Sequence, residues 1–157
     1  MSKTLKIILS IVFCLLVGAI GSFFTTPAIP SWYAYLNKPF FSPPNWLFGP
    51  MWTILYILMG VSLYLIWTNT KKGKSKNEAL GNFYTQLVLN FIWSPIFFGM
   101  KNLWLAFIVI VLMWIFILRT IQSFAKLNKK ASYLLYPYIA WVSFASILNL
   151  SVWLLNR

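Results

Sequence analysis

The chain has almost no acid and no histidine: among 157 residues Glu78 carries the only carboxylate side chain and Cys14 the only thiol. Each shortage closes off a class of chemistry. Without His or a second carboxylate there is no hydrolase triad, no paired-carboxylate glycosidase site and none of the usual general bases. A lone cysteine makes neither an intramolecular disulfide nor a thiolate metal cluster, and the preferred proximal ligand of haem iron is missing too. Charged residues are scarce altogether, at 9%, and thirteen Lys and Arg against one acid leave a formal net charge of +12.

What is present is apolar. Hydrophobic residues make up 61% of the chain and aromatics 20%, with a mean hydropathy of +0.77, the composition of a membrane protein rather than a soluble domain. Five apolar runs approach the ~20 residues that cross a hydrocarbon core, at 5–24, 44–67, 80–98, 103–124 and 132–155. The expected fold is an all-α integral membrane protein, one domain over 1–157, built as a five-transmembrane-helix bundle with a structured loop between helices 1 and 2. Lys3 and Lys6 ahead of the first run also fit a signal peptide. No small-x-small cleavage pattern follows, however, and Gly18, Ala19, Gly21 and Ser22 read as a close-packed helix face. Those residues, or Gly60 with Ser62, also allow a second copy to approach closely, so a homodimer is expected.

The cations sort by side. Lys3, Lys6, Lys71, Lys72, Lys74, Lys76, Arg119, Lys126, Lys129 and Lys130 fall on one side of a five-span topology, and only Lys38, Lys101 and Arg157 on the other. The positive-inside rule then predicts a cytoplasmic N-terminus, in a bacterial inner membrane, with loop 27–43 facing outward. Basic charge scattered through short loops, with no folded basic face, argues against nucleic acid. No acid or His lies inside any span, which disfavours proton-coupled pumping.

The segment 32–52, WYAYLNKPFFSPPNWLFGPMW, is dense in aromatics and prolines. Broad, stiff rings with backbone freedom already removed suit a site for a flat ligand; on composition alone an interfacial aromatic belt is the simpler reading. Helical spacing adds to the case for a site. Trp52, Tyr56, Met59 and Leu63 share one face, as do Gln86, Asn90, Trp93 and Phe97 in the third span, and Trp141, Ala145, Leu148 and Val152 in the fifth, with Asn149 beside them. Taken singly, the aromatic stripes read as packing, and the amides serve either interhelical bonds or a ligand. Together they outline a cavity beneath the 32–52 segment for a large, flat, hydrophobic molecule with some polar edge.

The motifs WYAYLNKP, PPNWLFGPMWTILY, LYLIW, LNFIWSPIFFG and YPYIAWVSFASILN, followed by Trp153, resemble in order and placement the tryptophan-rich sensory proteins, also known as translocator proteins or peripheral-type benzodiazepine receptors (TspO/MBR). The resemblance implies a five-helix bundle, usually dimeric, with a ligand cavity capped by the first loop. It further implies a receptor or sensor for tetrapyrroles, with protoporphyrin IX or haem as ligand and no covalently bound cofactor. Alternative activities are light-dependent porphyrin degradation, with Trp32, Trp52 and Trp141 as candidate radical relays, and transport of porphyrin or other hydrophobic molecules. The resemblance carries a ligand-site role to Trp32, Trp52, Asn90, Trp93, Trp141 and Ala145, and the aromatic segment and helical faces add Tyr33, Tyr56, Phe97 and Leu148 as candidate ligand-binding residues. Lys38 is added as a partner for propionate charge. Without His, porphyrin would be held by shape, stacking and hydrogen-bond donors, so an iron-free porphyrin should bind at least as well as haem. The sterol motif of animal members expects a Tyr followed by a basic residue near the end of the fifth helix, where SILNLSVW has Leu150, so sterol binding through it is not expected.

Overall fold

A computed structural model describes all residues, 1–157, and contains helices and turns only. The long helices are α1 (Lys3–Ser31), α2 (Phe48–Trp67), α3 (Lys74–Ser94), α4 (Leu103–Ala125) and α6 (Tyr136–Asn156), with a single-turn α5 (Lys129–Tyr133) leading into the last. Five long helices run up and down, and four stretches, Lys3–Ser31, Asn45–Trp67, Leu103–Ala125 and Lys129–Asn156, are long and apolar enough to cross a membrane. Helix α3 falls short because its first turns carry Lys74, Lys76, Asn77 and Glu78. The outer surface is itself apolar: along α1, Leu9, Val12, Phe13, Leu16, Ile20 and Phe23 are all exposed. Such a continuous greasy face is stable only against lipid or protein.

The structure differs from the sequence reading at the end of α1, at the start of α3, which begins at Lys74 rather than residue 80, and at Pro95 and Pro137, two prolines within apolar runs that read as interruptions of the helical hydrogen-bond ladder. Helix α1 continues seven residues past the expected stop, through Pro27 and Pro30, and is closed by the Trp32 amide donating to the Ala28 carbonyl at 3.0 Å. The loop therefore starts at residue 32 rather than 27. Pro95 does not simply break α3; the chain widens into one π turn, Pro95–Gly99, in which the Met100 amide reaches the Pro95 carbonyl at 2.8 Å. Pro137 interrupts nothing, since it sits in the first turn of α6, where its missing N–H would have no helical acceptor.

Packing begins with glycine. A Cβ at Gly18 would overlap the ring of Tyr56, and one at Gly60 would overlap the backbone of Ile11, so α1 and α2 touch along these two positions. Gly21 is buried near Ser94, and Ser62 donates to the Ala131 carbonyl at 2.7 Å. Gly18, Gly21, Gly60 and Ser62 thus make their close approach within the chain, while Ala19 and Ser22 of the α1 stripe remain exposed. Helix α1 also packs on α3, α3 on α4 and α4 on α6. The main core lies toward the basic end, around Phe83, Phe124, Ile117 and Ile66.

At the other end, residues 32–47 fold across the bundle as a lid containing two short turns, Tyr33–Tyr35 and Asn45–Leu47. Asn156 fastens it to α6: its Oδ1 accepts from the Asn37 amide at 3.0 Å while its Nδ2 donates to the Asn37 carbonyl at 2.8 Å. Helix direction puts Lys38, Lys101 and Arg157 at the lid end and the other ten cations at the opposite end. There Lys76 Nζ donates to the Trp67 and Asn69 carbonyls at 3.0 and 2.9 Å, and Lys71 Nζ to the Lys126 carbonyl at 3.3 Å. Cations at the carbonyl ends of α2 and α4 complement the helix dipoles.

Candidate ligand-binding site

Beneath the lid, α1, α2, α3 and α6 diverge around a cavity of about 670 Å³, inside the ~300–1,000 Å³ range of small-molecule sites. The periodic faces converge on it. Trp52 and Tyr56 come from α2, Asn90, Trp93 and Phe97 from α3 and its π turn, and Trp141, Ala145, Leu148, Asn149 and Val152 from α6, with Tyr33 in the lid. Met59, Leu63 and Gln86 lie one turn or more deeper, in the core. The α1 wall of Gly18, Gly21, Ser22 and Thr25 escaped the sequence reading, because small residues carry no aromatic signal.

Trp32 and Lys38 are not on the cavity wall. Trp32 stands behind it, 5.9 Å from the Phe97 ring and 6.4 Å from Phe98, with Lys101 Nζ 5.8 Å over its own ring. Lys38 is folded back into the lid, where its Nζ donates to the Tyr33, Ala34 and Leu36 carbonyls at 2.9, 3.3 and 3.2 Å and lies 4.9 Å over the Tyr33 ring. Its donors are occupied in holding the loop. Tyr33 is buried against Phe97 and Phe98, and that burial raises its phenol above the ordinary range, with a hydrogen bond involving Ser42 pulling it partly back.

The polar atoms of the wall divide into answered and unanswered. Trp93 Nε1 donates to Asn149 Oδ1 at 3.1 Å, and Asn149 Nδ2 to the Leu103 carbonyl at 3.0 Å, so Asn149 ties α3, α6 and α4 together. At the floor, Tyr56 donates to Asn90 Oδ1 at 2.6 Å and Asn90 Nδ2 to the Tyr138 hydroxyl at 2.7 Å. Tyr138, wholly buried and missed by the sequence reading, sits three residues before Trp141 and could have been found by extending the α6 face one turn back. The indole of Trp141 is different. Its Nε1 is buried and has no hydrogen-bond partner, the one such side-chain polar atom in the protein. A buried, unpaired donor costs ~1–3 kcal/mol, a cost that an acceptor on a bound molecule would remove.

A lidded helical bundle with apolar outer helices and an aromatic cavity defines the class: a membrane protein with an internal cavity of small-molecule size. The comparisons narrow this. The TspO/MBR family model matches residues 10–154, and the chain belongs to that family. It is 47% identical over 152 residues to the tryptophan-rich protein TspO of Archaeoglobus fulgidus, covering 97% of each chain. It is 45% identical over 154 residues to the protein of that name from Chlorobaculum tepidum, covering 98% of each. To the human translocator protein it is 38% identical over 135 residues, 85% of this chain and 80% of that one. Family and apolar helices together make it an integral membrane protein.

Proposed function

We propose that the protein is a receptor for a flat, hydrophobic ligand of the tetrapyrrole class, with protoporphyrin IX the leading candidate, held within the bundle. The observation that carries this reading is the unanswered Trp141 N–H in an aromatic cavity of about 670 Å³. Rings of Trp52, Trp93 and Phe97 offer stacking surface, while one indole donor awaits an acceptor such as a carbonyl or carboxylate on the ligand rim. With Lys38 engaged by its own loop, charge on the ligand would be met by neutral donors rather than by an ammonium group. The chain offers no set of His, Cys, Asp and Glu side chains that could hold a metal, so recognition rests on the organic ring.

Titrating protoporphyrin IX into purified protein in the dark and following tryptophan quenching tests this. Trp141→Phe keeps a ring but loses the donor, and should weaken binding about fivefold, the worth of one net hydrogen bond. Unchanged affinity would place the acceptor elsewhere and remove the main support for the reading.

A further inference from the structure

The hydrogen-bonded floor of the cavity does not end at Asn90. Tyr138 passes its own proton onward to Gln86 Oε1 at 2.7 Å, and Gln86 Nε2 ends the chain near the Met59 sulfur at 3.9 Å. The sequence Tyr56 to Asn90 to Tyr138 to Gln86 is therefore a head-to-tail line of donors, its two ends very different. One end, Tyr56 with Asn90 beside it, lines the cavity. The other stops against thioether, one of the weakest acceptors in a protein.

Such a line has two self-consistent directions. As drawn, each group donates away from the cavity, and the Tyr56 oxygen shows the ligand only lone pairs. A half-turn of both amides exchanges their O and N atoms without moving the rings. Asn90 then donates to Tyr56, Tyr138 to Asn90 and Gln86 to Tyr138, and the Tyr56 O–H is free to donate into the cavity. All three strong bonds survive. The directions differ inside the protein by the weak N–H contact to Met59, because the Gln86 amide has no other side-chain or backbone partner. A charged or singly directed terminus would lock the line; Gln and Met do not.

We infer that this line is a reversible relay that lets Tyr56 read either a hydrogen-bond donor or an acceptor on the ligand, with Gln86 and Tyr138 as positioning residues that never touch it. The inference rests on the ligand-cavity reading above. It identifies the ligand class more closely: aromatic molecules with a single polar edge of either sense, such as a ring N–H or a ring nitrogen lone pair. A reversible floor accepts both at nearly equal cost, whereas a fixed one selects one of them.

Two isosteric pairs read the relay. Carbazole differs from fluorene by a ring N–H donor, and acridine differs from anthracene by a ring nitrogen acceptor. Dissociation constants for all four, from tryptophan quenching, with the acridine pair measured in a Trp141→Phe background so that the unpaired indole N–H does not answer its nitrogen, should favour carbazole over fluorene and acridine over anthracene by roughly fivefold in each pair. Gln86→Leu removes the acceptor that receives the Tyr138 proton, leaving it only the Met113 sulfur 3.6 Å away. The line then favours its reversed direction. The carbazole preference should fall toward one while the acridine preference is kept, although residue 86 is remote from the ligand. Tyr56→Phe, which deletes the reading atom, should likewise abolish the carbazole preference. A carbazole ratio near one in the unaltered protein, its persistence in either variant, or an equal fall of both ratios in Gln86→Leu, as a merely structural role would give, each overturns the relay while leaving the cavity reading standing. Failure of all four molecules to bind overturns both.

Discussion

At the basic end of the bundle, the rings of Phe83 and Phe124 stack 5.8 Å apart with neither exposed, and the buried hydroxyls of Ser62, Thr120 and Ser132 donate to carbonyls at 2.7, 2.6 and 2.9 Å. At the lid end the same helices part around a cavity, and Trp141 keeps a buried donor with no acceptor. Close packing and paired polar groups are the ordinary condition of a protein interior. The half that departs from both conditions is the half in which we propose that a ligand binds. Phe48 of α2 and Trp141 of α6 lean on one another across it at 6.0 Å, while Trp93 stacks on Phe97 within a single wall at 4.9 Å.

Substitutions in the two halves should have opposite signatures. Phe83→Ala leaves a cavity where none exists and should cost about 3–5 kcal/mol of stability, read by thermal unfolding in detergent, while porphyrin affinity of the folded fraction changes little. Ala145→Trp puts an indole into the existing space instead. It should lower protoporphyrin IX affinity roughly a hundredfold, about 2.8 kcal/mol, with the melting temperature kept or raised. If it instead unfolds the protein, the lid end is as tightly packed as the basic end and the contrast fails. Gly60→Ala sharpens the comparison at the α1–α2 contact, where Ile11 backbone blocks the new methyl, and should cost about 2 kcal/mol. Gly81→Ala, with nothing near it, should be stabilising by up to ~1 kcal/mol through helix propensity.

The helices were legible because hydropathy is a long-range average, and the cavity faces because a helix converts spacing into direction. Trp52, Asn90, Trp93 and Trp141 could therefore be brought together from their numbers alone. Residues of the lid could not, since no period relates Trp32 or Lys38 to a wall: one is a buttress behind Phe97, the other a clasp on three carbonyls. The first apolar run stops at residue 24, yet the helix continues to Ser31, because Pro27 and Pro30 each remove only one N–H bond from a segment that other turns of α1 sustain. The polar start of α3 was lost for the opposite reason, because Lys74 to Glu78 lower the hydropathy without lowering the helical propensity. The free indole of Trp141 is a property of its neighbours, and no reading of one position contains it.

The Asn37 to Asn156 clasp has a kinetic meaning. Because the lid backbone is bonded to the side chain of a residue in the final turn of α6, and Asn156 also donates to the Val152 carbonyl at 2.7 Å, the lid cannot lift while that side chain keeps all its bonds. Lid opening and fraying of the last turn become one cooperative event of local unfolding. The rate at which the proposed ligand leaves the cavity then depends partly on the last turn of α6, more than a hundred residues away in sequence from the lid it secures.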